Sequence, residues 1–286
     1  MISYAQAAVL GLLQGISELF PISSLGHSVI LPRLVGWQIQ QNDRFFLTFL
    51  VATHLATAIV LFCFFWKDWM KIFKGMGQSL AQRTISKENP YGTLGWLLVV
   101  GTVPAGILGL LLEQRLRAVF ASAQSAAFFL MLNGLLLYGA ERLRLRATAI
   151  NTIHDADARI AKLSWRQAIV VGAAQAIALI PGFSRSGASM GGGLVVGLSH
   201  EDAARYSFLL ATPIIGAAAL LKVPELFFPE NQPLLIPALI GGACAAVTAY
   251  LSVRFLMKYL HTNSLMPFAI YCGLAGAITS AYFLIF

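Results

Sequence analysis

Six apolar stretches constrain the fold more than any other feature of this sequence. They cover about residues 45–66, 92–112, 119–140, 203–222, 233–256 and 265–285. A helix needs roughly 20 mainly apolar residues to cross the hydrocarbon core of a bilayer. Charged residues make up 11% of the 286 positions, against about 25% in soluble domains. The sequence therefore excludes a soluble protein and predicts an all-α integral membrane protein with six transmembrane helices.

Two further apolar regions, residues 4–36 and 165–199, are interrupted at their centres. The first interruption lies within Gln14–His27 (QGISELFPISSLGH) and the second within Gln175–Ser189 (QAIALIPGFSRSGAS). Irregular backbone at membrane depth is tolerated only where it is buried in protein or lines a wet cavity. We therefore expect each region to form a re-entrant pair of half-length helices, and each break to be a candidate site.

The two broken regions also resemble each other in sequence, which indicates an internal repeat. A shift of 161 positions places Ser3, Gln6, Gly11, Gln14, Ser23 and Gly26 on Ser164, Gln167, Gly172, Gln175, Ser184 and Gly187. Three predicted spans separate the copies, so the copies have opposite topology. We expect one membrane domain over 1–286, with repeat 1 at about 1–140 and repeat 2 at about 160–286. Inverted repeats with broken helices place binding sites near the midplane of the membrane.

Basic residues set the expected orientation. Lys and Arg cluster in the loops after the first, third and fifth spans (67–87, 142–166 and 254–258), which predicts that this face is cytoplasmic. The net charge of +8 then reflects topology and anionic lipid rather than nucleic acid. The first residues lack a basic stretch, so we expect no cleavable signal peptide. The first broken pair would enter from the extracytoplasmic side.

The first break carries polar side chains that are rare within a membrane. A charged group there costs about 2.5–3.5 kcal/mol, which favours a functional role for Glu18. A helix that restarts after Pro21 has Ser23 or Ser24 as its N-cap, with free N–H groups directed at the break. His27 follows these serines by four and three residues and shares their helix face.

The second break adds a cation. Pro181 and Gly182 end one helix, and Ser184, Arg185 and Ser186 begin the next. Helix N-termini bind anions, and the guanidinium fork matches two phosphate oxygens at once. Together the two breaks supply charge stabilisation, hydroxyl groups, an imidazole and a carboxylate. That inventory suits phosphoryl chemistry.

Some polar residues have two readings that the sequence leaves open. Gln14 and Gln175 are either interhelical hydrogen-bond partners or substrate contacts. His54 either bonds a neighbouring helix or lines the site. Glu18 could pair with Arg185 and neutralise it, which does not exclude a functional role.

The two motifs, and the closing MPFAIY (Met266–Tyr271), resemble the undecaprenyl-diphosphate phosphatases of the bacitracin-resistance type. The resemblance runs over essentially the full length. It implies hydrolysis of undecaprenyl diphosphate to the monophosphate carrier and inorganic phosphate, which recycles the cell-wall lipid carrier. It also implies six spans and two re-entrant pairs in a bacterial inner (plasma) membrane, with the site open to the extracytoplasmic side. The functional positions carried over by the resemblance are Glu18, Ser23, Ser24, His27, Ser184, Arg185 and Ser186.

The chain departs from the family pattern at several positions. Gln14 stands where the family often has Glu, Leu25 and Ser189 stand where it has Thr, and His54 stands where many relatives have Gln. The family is described as needing Mg²⁺ or Ca²⁺. Gln14 weakens a site built from two carboxylates, so Glu18 is the candidate metal ligand. Mg²⁺ is often held by one or two carboxylates together with substrate phosphates.

The sequence thus predicts a membrane lipid-diphosphate phosphatase. Arg185 and the helix N-termini would hold the phosphates, Ser24 would attack with His27 as its base, and Glu18 would orient His27 or bind the metal. A water or His27 as the attacking group stays open. Further substrate contacts are expected from Gln14, Ser23, Ser184, Ser186, Ser189 and His54.

The expected partners are a polyprenyl diphosphate, whose tail would lie in an apolar groove between the repeats, and the bilayer itself. No nucleic acid is expected. The oligomeric state stays open, a homodimer included. The alternative function is a transporter or flippase of the polyprenyl phosphate, because inverted repeats and broken helices also build transporters. The serine–histidine pair favours the enzyme, since transport does not require it.

Overall fold

The fold is known from a computed structural model that describes residues 2–39, 44–86, 88–120, 122–144 and 159–285. Every regular element in these ranges is helical, which confirms the all-α prediction. The α-helices are α1 (Tyr4–Leu19), α2 (Ser24–Leu34), α3 (Arg44–Phe64), α4 (Trp66–Gln82), α5 (Pro90–Phe120), α6 (Ala123–Arg144), α7 (Trp165–Ala176), α8 (Arg185–Val195), α9 (His200–Lys222), α10 (Leu235–Tyr259) and α11 (Met266–Ile285). Short 3₁₀ turns cover Ile177–Leu179, Val223–Phe227 and Pro229–Leu234.

Five of the six predicted spans correspond to helical segments long and apolar enough to cross a membrane. They are Phe46–Phe64, Pro90–Leu112, Ala123–Arg144, Pro229–Tyr259 and Met266–Ile285. Their outer surfaces carry large exposed apolar side chains, for example Leu110, Leu239 and Ile278. Such a surface suits contact with lipid tails rather than water.

The sixth predicted span, 203–222, is helical but is not among these five segments. It belongs to α9, whose first two turns hold Glu201, Asp202 and Arg205. The middle of α9 is covered by protein, since Tyr206 and the run Phe208–Ala211 are buried. A helix that is surrounded by other helices can contain more polar residues than a helix that faces the bilayer.

The segment after the first span differs from the loop that we expected. Residues 66–82 form α4, which begins directly after α3 ends. Its Trp69, Ile72 and Ser79 are buried and its Lys67 and Lys74 are exposed, so the basic residues lie along one helix face. Residue 87 and residues 145–158 of the predicted basic loops lie outside the described residues.

Both breaks occur where the sequence places them. The first pair of helices contains 16 and 11 residues and the second pair 12 and 11. At about 1.5 Å per residue, each of these helices is shorter than the roughly 30 Å hydrocarbon core. Pro21 lies in the first break. Gly182 in the second break has a φ of +107°, a backbone conformation that residues with a Cβ rarely adopt.

The two broken pairs share local structure. Ser3 and Gln6 form a capping box at the start of α1, and Ser164 and Gln167 form the same box at the start of α7. A Cβ at Gly11 would lie 2.2 Å from the Gly241 carbonyl oxygen in α10. A Cβ at Gly172, its predicted equivalent, would lie 2.1 Å from the Gly101 carbonyl oxygen in α5. The first helix of each pair, α1 or α7, thus packs directly against the backbone of a long helix, α10 or α5. The repeat boundaries themselves stay a prediction.

Candidate active site

The two breaks lie against each other. Ser186 Oγ donates a 3.1 Å hydrogen bond to the Phe20 carbonyl oxygen. The position of a Cβ on Gly26 lies 3.2 Å from the Gly182 Cα. Residues far apart in sequence therefore form one site.

The carboxylate of Glu18 is the centre of this site, and its residue is only 6% exposed. Its Oε1 accepts from Arg185 Nη2 at 2.6 Å. Its Oε2 accepts from Ser24 Oγ at 2.5 Å and from Gln14 Nε2 at 3.1 Å, and His54 Nε2 lies 3.2 Å from the same oxygen. The structure thus gathers four other predicted site residues around the Glu18 carboxylate, His54 among them.

Two polar atoms beside this carboxylate have no partner among the described residues. Arg185 Nη1 and Gln14 Oε1 are both buried and make no hydrogen bond there. A buried donor or acceptor left unsatisfied costs about 1–3 kcal/mol, so such atoms call for a ligand. Arg185 Nη1 can donate to an anion and Gln14 Oε1 can accept from a donor or a cation.

His27 differs from its predicted role. Its Nδ1 lies 2.7 Å from the Ser23 carbonyl oxygen and its Nε2 lies 2.7 Å from the Tyr271 hydroxyl. A carbonyl oxygen only accepts, so Nδ1 carries the proton and Nε2 of the neutral ring accepts from Tyr271. The expected pairs of Ser24 with His27 and of Glu18 with His27 are therefore not formed. Ser24 is bonded to Glu18 instead, because both ring nitrogens of His27 are engaged elsewhere.

The N-cap of α2 is strained. Ser23 has a φ of 72° and a ψ of 98°, in the region that side-chain-bearing residues avoid at a cost of about 1–3 kcal/mol. Its Oγ accepts from the Gly26 N–H at 3.1 Å. Capping thus occupies the Ser23 hydroxyl and leaves the Ser24 hydroxyl for Glu18.

The serines of the second break serve mainly to build the start of α8. Ser184 Oγ accepts from the Gly187 N–H at 3.0 Å and lies 3.0 Å from Ser186 Oγ. Ser189 Oγ lies 2.5 Å from Ser207 Oγ and donates to the Arg185 carbonyl oxygen at 2.8 Å. Ser189 is therefore bonded within the helix packing and is not part of the group around Glu18.

Sequence reasoning missed Asn133, which joins the two breaks. Its Nδ2 donates to the Pro21 carbonyl oxygen at 2.9 Å, and its Oδ1 accepts from the Ser184 N–H at 3.0 Å. The residue is fully buried. An amide inside the apolar stretch 123–140 was a visible signal, because polar residues in spans commonly bond neighbouring segments. Its partners, however, are backbone atoms that no side-chain pattern indicates.

The described residues contain no group of three or more His, Cys, Asp or Glu side chains that could hold a metal ion. The oxygen atoms of Glu18 and the unpartnered Oε1 of Gln14 are nevertheless of the kind that Mg²⁺ and Ca²⁺ prefer. Oxygens from these two side chains fit a cation that takes its remaining ligands from phosphate and water.

The apolar helices and the buried polar site define a multi-pass membrane protein with a site suited to an anionic group. The chain belongs to the family described as bacitracin resistance protein BacA, which it matches over residues 7–278. This confirms the family that the two motifs indicated.

Relatives are similar over nearly their whole length. The chain is 47% identical to an undecaprenyl-diphosphatase of Mycolicibacterium paratuberculosis, over 96% of this chain and 95% of the relative. It is 46% identical to an undecaprenyl-diphosphatase of Mycobacterium avium, with the same coverage. It is 41% identical to undecaprenyl-diphosphatase 2 of Frankia alni, over 99% of both chains.

Proposed function

We propose that this chain is a membrane phosphatase that hydrolyses undecaprenyl diphosphate to undecaprenyl phosphate and inorganic phosphate. The names of its relatives give this substrate and activity. The structural observation that carries the proposal is the state of the Arg185 guanidinium. Its Nη2 is paired with Glu18, while its Nη1 is buried without a partner among the described residues.

Arg185 binds the diphosphate through its unpaired nitrogen. The residue is the first of α8, so its guanidinium lies close to a helix end that favours negative charge. A phosphate oxygen satisfies Nη1 while Nη2 stays on Glu18. The polar group of the substrate then lies between the two breaks, next to the Ser24 hydroxyl.

The contact between Ser24 and Glu18 supports a serine nucleophile with a carboxylate base. Ser24 Oγ bonds to the terminal phosphorus as its proton passes to Glu18 Oε2. The bond from that phosphorus to the bridging oxygen breaks, and the electron pair leaves with undecaprenyl phosphate. Undecaprenyl phosphate leaves as an anion and needs no proton, so Glu18 keeps the proton taken from Ser24 for the next step.

Hydrolysis of the phosphoserine completes the cycle. Water attacks the phosphorus and gives its proton to the Tyr271 hydroxyl, whose own proton passes to His27 Nε2. The hydroxyl then accepts a hydrogen bond from the new Nε2–H. Glu18 returns its proton to the departing Ser24 oxygen, and inorganic phosphate is released. His27 then loses its proton to solvent. His54, bonded to the same Glu18 oxygen as Ser24, helps to hold the carboxylate in place.

A divalent cation, Mg²⁺ or Ca²⁺, is part of the proposal. Glu18 and the Gln14 side-chain oxygen would hold it together with phosphate oxygens. When bound, it would neutralise charge on the diphosphate. Gln14 already orients Glu18 through its Nε2, so these two residues are placed to act together.

The proposed architecture has six spans (α3, α5, α6, α9, α10 and α11) and two re-entrant pairs (α1–α2 and α7–α8) in an inverted repeat. The matching capping boxes and the Gly11 and Gly172 contacts support it. We place the chain in the bacterial inner membrane with the site open to the extracytoplasmic side. Basic side chains on α4 and at the end of α6 support a cytoplasmic location for the face of the protein that carries them, opposite to the face on which the site opens. A homodimer and the lack of a nucleic-acid partner stay predictions.

Release of phosphate from a C55 or C15 prenyl diphosphate by the purified protein tests the function. Parent, Arg185→Ala and His27→Ala would be assayed with divalent cation and with chelator, beside the exposed Arg142→Ala as control. Activity in the parent and in Arg142→Ala, with loss in the other two, is expected. A parent that releases no phosphate but still binds the lipid phosphate would instead support the transporter.

A further inference from the structure

Tyr271 lies at the site but belongs to neither of its motifs. It ends the MPFAIY stretch and lies on α11, more than 240 residues after His27 in the chain. Its hydroxyl is 2.7 Å from His27 Nε2. The two rings are also nearly parallel, with an angle of 11° between planes and 5.8 Å between centroids. Tyr271 therefore holds the imidazole in two ways: by a hydrogen bond to Nε2 and by stacking on one face of the ring.

The position of Tyr271 is fixed by its neighbour in sequence. Cys272 is fully buried, and its Sγ lies 3.7 Å from the Pro21 carbonyl oxygen and 3.3 Å from Asn133 Nδ2. This part of α11 is thus attached to the first break and to the amide that joins the two breaks. Tyr271 can hold His27 in a fixed orientation because its own backbone is anchored next to the site.

We infer that Tyr271 both orients His27 and passes the proton to its Nε2, an inference that rests on the proposed function. The Ser23 carbonyl accepts from Nδ1 and sets the tautomer, while Tyr271 fixes the direction of Nε2. A hydroxyl both donates and accepts, so Tyr271 can pass its proton to Nε2, take one from the water and then accept from the new Nε2–H without leaving this nitrogen. The ring then keeps one orientation through the catalytic cycle.

Tyr271→Phe tests this role, because it removes the hydroxyl and keeps the stacked ring. Tyr282→Phe is the matched control, since Tyr282 lies on the same helix and is 43% exposed against 44% for Tyr271. We expect kcat of Tyr271→Phe to fall about tenfold, the effect of one hydrogen bond, with KM unchanged. The acidic limb of the pH profile, which reports the essential base, should be displaced. Tyr282→Phe should match the parent in all three measurements.

The outcomes separate this role from the proposed function. An active parent together with a Tyr271→Phe variant of equal kcat and equal pH profile overturns the positioning role and leaves the phosphatase in place. A lower kcat with an unchanged pH profile and a lower melting temperature shows a purely structural residue, which also overturns it. A parent that releases no phosphate overturns the function itself, and the role of Tyr271 with it.

Discussion

Arg185 Nη2 lies 2.6 Å from Glu18 Oε1 and joins residues that are 167 positions apart in the chain. The side chains are 18% and 5% exposed, so the ion pair is largely removed from solvent. The other carboxylate oxygen holds the Ser24 hydroxyl. The pair therefore connects the proposed phosphate-binding cation of one break to the proposed proton acceptor of the other.

Arg185→Lys should abolish most of the activity although it keeps the charge. A lysine ammonium can replace the bond to Glu18, but it cannot reach a phosphate oxygen at the same time with the geometry of a guanidinium fork. Loss of a preorganised donor of this kind costs about 10²- to 10³-fold in kcat. Phosphate release would be compared with Arg142→Lys, an exposed arginine on α6. Parent-like kcat in Arg185→Lys would contradict the bidentate role.

Glu18→Gln should lower kcat by about 10²- to 10⁴-fold, the contribution of a general base. The amide keeps the size of the side chain, but it cannot take the Ser24 proton and leaves the Arg185 charge without its partner. Glu230→Gln, at an exposed position, is the matched control. A phosphatase assay that finds only a change in KM for Glu18→Gln would assign the carboxylate to binding rather than to proton transfer.

The sequence predicts the breaks and most of the spans because these depend on length, apolar composition and the local preferences of Pro and Gly. The partner of Ser24 could not be predicted in this way. The sequence indicates Ser24, Glu18 and His27 as site residues, but which two of them bond depends on Tyr271, a residue on the last helix. The sequence predicts a loop for the segment that forms α4, because its charged residues mask an apolar helix face that contains Trp69 and Ile72.

The predicted repeat indicates which site residues have an equivalent in the other copy. At a shift of 161, Ser24 falls on Arg185, His27 on Ala188 and Glu18 on Leu179. In this register one copy supplies the hydroxyl, the imidazole and the carboxylate, and the other supplies the cation at the matching helix start. The capping serines, Ser23 and Ser184, are the part that both copies keep. In this register the side chains of the two copies differ, while both capping serines accept from a glycine N–H three residues on, Ser23 from Gly26 and Ser184 from Gly187.

Gly11→Ala and Gly172→Ala should both destabilise the protein. In each case a Cβ would meet a backbone carbonyl oxygen at 2.2 or 2.1 Å, so the half-helix would have to move off α10 or α5. Overpacking of this kind costs about 1–3 kcal/mol. Gly216→Ala on α9 is the control, because nothing lies within 4 Å of its Cβ position. Melting temperatures in detergent would fall for the first two variants and not for the third.

Asn133→Asp should weaken the contact between the two breaks. The new oxygen would face the Pro21 carbonyl oxygen, which now accepts from Nδ2 at 2.9 Å, so an attraction becomes a repulsion. A lost buried hydrogen bond with one partner left unsatisfied costs about 1–3 kcal/mol. We expect a lower melting temperature together with lower kcat. Asn263→Asp removes a similar bond, to the Tyr259 carbonyl oxygen, at an exposed position, so it should lower the melting temperature less and leave kcat unchanged. Stable protein with full activity would show that other contacts suffice to hold the breaks together.

Gln14→Glu should raise the affinity for a divalent cation. Gln14 and Glu18 lie one helical turn apart, and the Gln14 Oε1 has no partner among the described residues. A carboxylate at this position would add a second charged oxygen ligand of the type that Mg²⁺ and Ca²⁺ prefer. The Mg²⁺ concentration for half-maximal phosphate release should fall, and Mn²⁺ binding measured directly by electron paramagnetic resonance should tighten in parallel. Unchanged values in both measurements would place the cation away from these two side chains, on the substrate phosphates alone.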